Sequence, residues 1–469
     1  MPELHLLPTP KSVTGADAEG NYAQRTFEPL LYTSKTEWNK LIHAFASYAA
    51  RVHGMLFTDG RGGVELSFDI SLPRGHYRLD TTGEVIRLSA VDNTGIGYGL
   101  ATLLQLMRAD TVPVLVIEDH PDCDYRTLMV DVARQWHPFF SLLNYVDLCF
   151  FLKIRYLHIH FIDDQRYTLP SDRFPMLPTK GEHYSKLGIA QLVEYAHERG
   201  IMLIPEFESP GHASAIVRAC PELFACAGSD DDTNVICVGK PGIYETLDCV
   251  IGEICELFPH SPYIHIGGDE ASIRKWNDCP DCRAYMKAHG ISDVHMLYTH
   301  FVVNMTNIVL AHDRTPIVWE GFPKEGAEQI SRDVIVVSWE NYYHYTHELL
   351  DEGFRIINAC WQPLYITPNK RWTPHDILGW NIYNWQHWWP KSPAHLNPIH
   401  VQPTKQVWGA QLCVWEWNYP EEIEYVKESL AALSERTWSV PRFLENEEFD
   451  AALASLCPLM DALLRPIDN

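Results

Sequence analysis

From about residue 120 the 469-residue chain alternates short apolar runs with amphipathic stretches, and this alternation narrows its possible folds more than any other feature. The apolar runs cover 127–133, 156–162, 202–207, 263–268, 315–319, 334–339, 355–360 and 407–415. Helical periodicity fills the gaps, over stretches such as 142–153, 189–199, 244–258 and 294–311. Eight apolar strands in βα order predict a (β/α)8 TIM barrel of the α/β class rather than a doubly wound sheet. The first 118 residues read differently. Val64-Glu65-Leu66-Ser67-Phe68-Asp69-Ile70 and Val85-Ile86-Arg87-Leu88-Ser89-Ala90 alternate with period two, while 36–52 and 94–107 carry helical periodicity. The expected layout is a small non-catalytic α+β domain over 1–118, a catalytic barrel over 119–445 and a C-terminal helix over 446–469 packed on the barrel.

The fourth apolar run ends Tyr263-Ile264-His265-Ile266-Gly267-Gly268-Asp269-Glu270. A strand tip of this kind is where a parallel α/β enzyme displays its chemistry. The two glycines let the backbone bend and approach a ligand with no Cβ in the way. Two carboxylates forced together cannot both ionise freely, so one can serve as an acid while the other stays an anion.

This run resembles the signature of the β-N-acetylhexosaminidases, glycoside hydrolase family 20, and the resemblance recurs in the family's order along the chain. Arg126-Thr127-Leu128-Met129-Val130-Asp131-Val132-Ala133-Arg134, His160-Phe161-Ile162-Asp163-Asp164-Gln165 and Ile204-Pro205-Glu206-Phe207-Glu208-Ser209-Pro210-Gly211-His212 are each similar to a family element. Each falls at the C-terminal end of an expected barrel strand. Ordered motifs over this length are far more specific than one short pattern. The segment Gly95-Ile96-Gly97-Tyr98-Gly99-Leu100 resembles the domain that often precedes the family's barrel, and no βαβ unit supports reading its glycines as a nucleotide loop.

The resemblance implies a retaining exo-β-N-acetylhexosaminidase in which the substrate's own 2-acetamido oxygen is the nucleophile and an oxazolinium ion the intermediate. It casts Glu270 as general acid and then base, Asp269 as acceptor of the acetamido N–H, and Tyr365 as the hydroxyl holding the acetamido oxygen. Asp163 and His212 would form a relay positioning Glu270. Arg126 would bind sugar hydroxyls. Trp319, Trp339, Trp372 and Trp415 would wall the sugar subsite, with Glu416 at its edge and the tryptophan-rich run 380–389 shaping an outer subsite. Glu208 stands where the family has Asp and is expected to pair with polar groups near Asp269. His265 reads equally as core or as support.

Two departures bear on specificity. Strand eight in the family often ends Trp-Ser-Glu, whereas here it reads Trp415-Glu416-Trp417. The family's Tyr-x-Asp reads Tyr365-Ile366-Thr367. Both replacements remove a carboxylate facing the sugar's C4 and C6, for which Glu416 or Glu340 could compensate. The alternatives are a non-catalytic carbohydrate-binding relative, disfavoured because Asp269 and Glu270 are both present, and a two-carboxylate glycosidase of different sugar specificity.

Composition excludes other classes. A formal charge of -24 repels nucleic acid and anionic membrane surfaces. Met1-Pro2-Glu3-Leu4-His5 opens without a basic and apolar leader, and no apolar run reaches membrane-helix length. The expectation is a soluble, cytoplasmic protein; a secreted chain trimmed of its leader would read the same. The expected partner is an oligosaccharide or glycoconjugate ending in N-acetylhexosamine, with a homodimer entertained as an assembly. No cofactor and no metal are expected. Twelve scattered cysteines fit buried thiols better than a disulfide framework. Cys279-Pro280-Asp281-Cys282 lacks the two further ligands a zinc site needs, His289 being the one neighbouring candidate.

Overall fold

A computed structural model describes residues 4–227, 234–441 and 444–465; the opening residues Met1, Pro2 and Glu3 lie outside these. The N-terminal part is a mixed seven-stranded sheet. Helices Asn39–His53 and Asn93–Leu106 pack against each other, and the second also packs on the sheet. The second helix is buried from Gly95 to its end, so the glycine-rich Gly95–Gly99 stretch is packing surface and not a ligand loop.

The chain then closes a parallel barrel. Its eight strands are Tyr125–Asp131, Tyr156–His160, Met202–Ser209, Tyr263–Gly267, Thr315–Trp319, Ile335–Ser338, Arg355–Asn358 and Val407–Val414. Each pairs in parallel with its successor, and the first pairs with the eighth, Arg126 opposite Ala410, so no edge is left open. Helices Phe139–Phe151, Lys186–His197, Ile243–Leu257, Val294–Ala311 and Glu421–Trp438 lie among the outer elements. Lys186–His197 turns a buried stripe inward at helical spacing, whereas Phe139–Phe151, beyond its opening residues, is buried on all sides because Asn93–Leu106 and Asn446–Leu463 also pack on it. The last helix, Asn446–Leu463, contacts Glu421–Trp438, Phe139–Phe151 and Asn39–His53, bridging barrel and N-terminal domain. Among the described residues no helix is long and apolar enough to cross a membrane.

The strand order and helix positions agree with the sequence reading to within a few residues at each end. The departure is the seventh unit. Between Asn358 and the eighth strand the chain forms short helices and a small antiparallel pair, Asn384–Trp385 with Ile399–His400, and Tyr365–Ile366 adds a two-residue strand beside the eighth strand, Tyr365 opposite Cys413. Tyr365 is therefore delivered by a returning loop rather than by the seventh strand itself.

Candidate active site

The site forms where the third and fourth strands end. Gly267 and Gly268 have φ of 72° and 101°, a left-handed backbone that side chains resist. A Cβ on Gly267 would sit 2.0 Å from the Glu208 carboxylate, and one on Gly268 2.6 Å from Val318 Cγ2. The double glycine thus turns the strand sharply and sets Asp269 and Glu270 on the barrel rim. Glu270 itself has φ 45° and His212 has φ 46°, positions where non-glycine residues are strained and where functional side chains concentrate.

His212 links the carboxylates. Its Nε2 lies 3.2 Å from Glu270 Oε2 and 3.8 Å from Asp269 Oδ2, and its Nδ1 lies 3.4 Å from Asp163 Oδ1. Asp163 in turn meets Arg134 Nη2 at 2.8 Å and His160 Nε2 at 2.8 Å. Against the effect of burial, Asp163 and Glu270 raise His212 well above the usual histidine value. Burial opposes ionisation of Asp163 as well, yet Arg134, His160 and His212 keep it a firm anion. The His212 hydrogen bond holds Glu270 below the ordinary carboxylate value. Burial pushes Asp269 the other way, up to about 6. The two adjacent carboxyls therefore differ, because one leans on an imidazolium and the other is enclosed. Asp269 Oδ1 is buried and has no hydrogen-bond partner.

Beneath the rim lies a polar hub that the motif reading did not single out. Glu206 is fully buried and is met by His158 Nε2 at 3.1 Å, His265 Nδ1 at 2.9 Å, Trp319 Nε1 at 2.6 Å and His160 Nδ1. Burial alone would raise Glu206, but the three histidines hold it well below its normal value. The chain Glu206–His160–Asp163–His212–Glu270 is continuous. A signal for it existed: His158 and His160 alternate on one strand, Glu206 and Glu208 on the next, and His160 pairs with Glu206 and Glu206 with His265 across the sheet. Period two puts all of them on the inner face. His265 is therefore support for the hub. Glu208 accepts the Gly268 N–H at 3.1 Å, and burial together with Asp269 and Glu206 raises it well above the ordinary carboxylate value.

Aromatic rings line the same end of the barrel. Trp339 stacks on Tyr365 (5.8 Å, 11°), Trp319 and Trp415 lie 5.9 Å apart, and Tyr365 and Trp415 6.1 Å apart. Trp361, absent from the sequence candidates, stacks on Tyr365 at 4.5 Å and meets the part-exposed Trp388 at 5.6 Å, extending the wall outward into the 380–389 run. Trp372 does not join this group. Its ring lies under Lys370, whose ammonium also approaches Trp388, so it belongs to the outer loop.

Arg126 is a second correction. It sits at the start of the first strand, the end of the barrel opposite the carboxylates, and is fully buried. Its guanidinium donates to Cys123 O, to Lys153 O and to the Tyr98 hydroxyl, and lies over Trp438. Its fork is used up in bonds within the barrel's base, to Cys123 O and Lys153 O, and in one bond to Tyr98 of the N-terminal domain. The arginine on the rim is Arg134, at the far end of the same motif, paired with Asp131 and Asp163 and lying 4.8 Å above the Trp415 ring. Arg126→Ala is expected to lower stability by about 2–4 kcal/mol, the cost of stranding several buried acceptors, with KM unchanged in the folded fraction. Arg134→Ala should instead raise KM and lower kcat. Thermal unfolding and steady-state kinetics on both variants check this; a KM defect in Arg126→Ala alone would reverse the assignment.

The replaced carboxylate positions carry no acid. Thr367 Oγ1 accepts the Lys370 amide, and the Trp417 ring packs on Tyr425 under Arg371. Glu416 is exposed on the rim. Glu340 lies nearer the pair: burial, then Glu320, Glu270 and Asp269, push it up to about 8. Glu320, buried and raised to about 7, is enclosed by the amides of Glu340, Asn341, Tyr343 and His344.

Comparison with known proteins agrees with this geometry. Residues 123–441 match the catalytic domain of glycosyl hydrolase family 20, and residues 3–120 match that family's domain 2. The chain belongs to glycosyl hydrolase family 20 and is a glycoside hydrolase. It is 28% identical over 455 residues to a β-hexosaminidase of Vibrio furnissii, covering 88% of this chain and 72% of that one. It is 31% identical over 270 residues to a β-hexosaminidase of Akkermansia muciniphila, covering 52% of this chain and 55% of the relative. Among solved structures, the family 20 exo-β-N-acetylglucosaminidase of Vibrio harveyi in complex with N-acetylglucosamine superposes with a TM-score of 0.82 at 23% identity, over 97% of this chain and 77% of that one. The β-N-acetylhexosaminidase of Bacteroides fragilis gives 0.81 at 22% identity, over 98% and 96%.

Proposed function

We propose that this glycoside hydrolase is a retaining exo-β-N-acetylhexosaminidase that removes terminal β-GlcNAc and β-GalNAc by substrate-assisted catalysis. The observation that carries the reading is Asp269 Oδ1, a buried acceptor with no protein partner beside the Glu270–His212 pair. An acetamido N–H is a donor that would satisfy it. The proposed first step has the acetamido oxygen attack C1. The C1–O bond breaks with its electrons on the leaving oxygen, and that oxygen takes the Glu270 proton. Asp269 balances the charge spreading over the oxazolinium ring. Glu270, now a carboxylate, removes a proton from the water that attacks C1 and reopens the ring, so configuration is retained.

The neighbouring carboxyls support a nucleophile from the substrate. A two-carboxylate retaining enzyme needs an ionised carboxylate across the sugar from its acid. Asp269 and Glu270 are consecutive on one loop and share one histidine, while Glu340, Glu320 and Glu208 are all shifted toward the neutral form. Trp319, Trp339, Tyr365 and Trp415 would enclose the acetamido group and stack on the ring's C–H faces, with Arg134 binding hydroxyls.

With the C4- and C6-side carboxylates replaced by Thr367 and Trp417, rejection of the wrong C4 epimer has little to act through, because strong rejection depends on buried polar groups left unpaired. The kcat/KM values for p-nitrophenyl β-GlcNAc and β-GalNAc are expected within ~100-fold, or ~3 kcal/mol of transition-state discrimination. The β-glucoside, lacking the acetamido group, should not be cleaved. Glucoside turnover comparable to GlcNAc would establish a two-carboxylate mechanism, and binding without turnover a non-catalytic protein. A steep GlcNAc preference that collapses in Glu340→Ala or Glu416→Ala would show that the carboxylate was relocated rather than lost.

A further inference from the structure

The Cys279–Cys282 pair has partners that the sequence did not reveal. Cys226 and Cys237, from the crossover after the third strand, meet it in the fold, and the ligand atoms of all four lie within 4.8 Å of one another. All four are buried, and none is in a disulfide. Cys237 Sγ is 3.5 Å from Cys279 Sγ and 3.7 Å from Cys282 Sγ. A disulfide needs about 2.05 Å between sulfurs. A tetrahedron with ~2.3 Å metal–sulfur bonds places its sulfurs about 3.8 Å apart. Cys237 thus stands at nearly equal distances from two cysteines, which suits a four-way centre and not a pairing.

We propose that Cys226, Cys237, Cys279 and Cys282 form a structural zinc site. Four soft thiolate donors with one C-x2-C pair select zinc among the common divalent ions, and a full protein ligand set leaves no position for a substrate or a catalytic water. The local backbone is built for the convergence. A Cβ on Gly239 would lie 2.5 Å from Cys282 Cα, so only glycine lets the two loops approach this closely. Cys279 caps the helix Pro280–His289, whose N-terminal amides favour the negative charge of a tetrathiolate centre.

The position gives the metal a task. Cys226 and Cys237 follow His212 in the chain, and Cys279 and Cys282 follow Glu270. The first of these loops is folded on itself by Ile236 N–H to Pro210 O, 3.0 Å, and is already tied to the second by Trp276 Nε1–H to Ile236 O, 2.9 Å. Zinc would pin the loop carrying the positioning histidine to the loop carrying the acid.

The test is the metal content of the untagged wild-type enzyme, produced with zinc in the medium and purified without chelator. Elemental analysis should find one zinc per chain, released in step with titration of the thiols by an organomercurial. Cobalt exchanged into the protein should show the intense thiolate-to-metal bands of a tetrahedral sulfur site. Cys226→Ser and Cys282→Ser should each lose the metal and lower the unfolding midpoint by ~10 °C, since metal binding energy is folding energy. Zinc far below one per chain with four reactive thiols, a disulfide among the four, or iron in place of zinc would each overturn the assignment. None of these measurements depends on the enzyme's sugar specificity, so failure here and failure of the proposed activity are distinguishable.

Discussion

Glu270→Gln is expected to lower kcat/KM on a natural N-acetylhexosaminide by about 10²–10⁴, the usual worth of a general acid. The amide preserves shape, and the side chain is half exposed with His212 as its close partner, so the fold should be unaffected. What is lost is the proton. In the resting site Glu270 and His212 face each other at 3.2 Å with the imidazole raised and the carboxyl lowered, so the shared proton rests on the histidine. A sugar that fills the rim and expels water penalises this charge pair and favours its neutral form, with the proton on Glu270. The defect should shrink on substrates with strongly acidic leaving groups, which need little protonation. Near wild-type turnover of a disaccharide by the variant would remove Glu270 from this role.

Asp269→Asn should cost a comparable factor in kcat while sparing much of the ground-state binding, because the proposed contact matters most once positive charge develops on the acetamido group. A thiazoline that mimics the oxazolinium should bind wild type far more tightly than the free sugar and lose most of that advantage in the variant. The pH profile carries the same signature. Asp269 must be an anion to act, so its contribution is complete above its value of about 6 and is lost as pH falls through it. In wild type the acid limb of kcat/KM should fall near there. A flat profile between about pH 4.5 and 7 would show that another group governs the step. Trapping a sugar ester on any carboxylate would refute substrate assistance altogether.

Much of this protein was legible before folding. Strand identity and order follow from short apolar runs and their spacing, which are local properties, and the eight strands appear where those runs lie. The carboxylate pair could be placed because a strand tip ending in two glycines is also local, and the structure assigns both glycines a left-handed backbone. His212 and Asp163 could be placed through their motifs at strand ends.

Direction and convergence were not legible in this way. Arg126 and Arg134 belong to one motif, yet they lie at opposite ends of the barrel, because a strand carries successive residues along its axis and only the assembled barrel shows which end is the site. Trp372 and Trp361 could not be ranked from composition, since which ring reaches Tyr365 depends on how the loop after the seventh strand returns beside the eighth. The Glu206 hub gathers side chains from four neighbouring strands, and the four cysteines come from two separate crossovers. Strand order, motif chemistry and the sign of the protein's charge are thus properties of the sequence alone. The polarity of Arg126, the walls of the pocket and the meeting of Cys226 and Cys237 with Cys279 and Cys282 were decided by closure of the barrel, because contacts between residues distant in sequence exist only once strand register and loop paths are set.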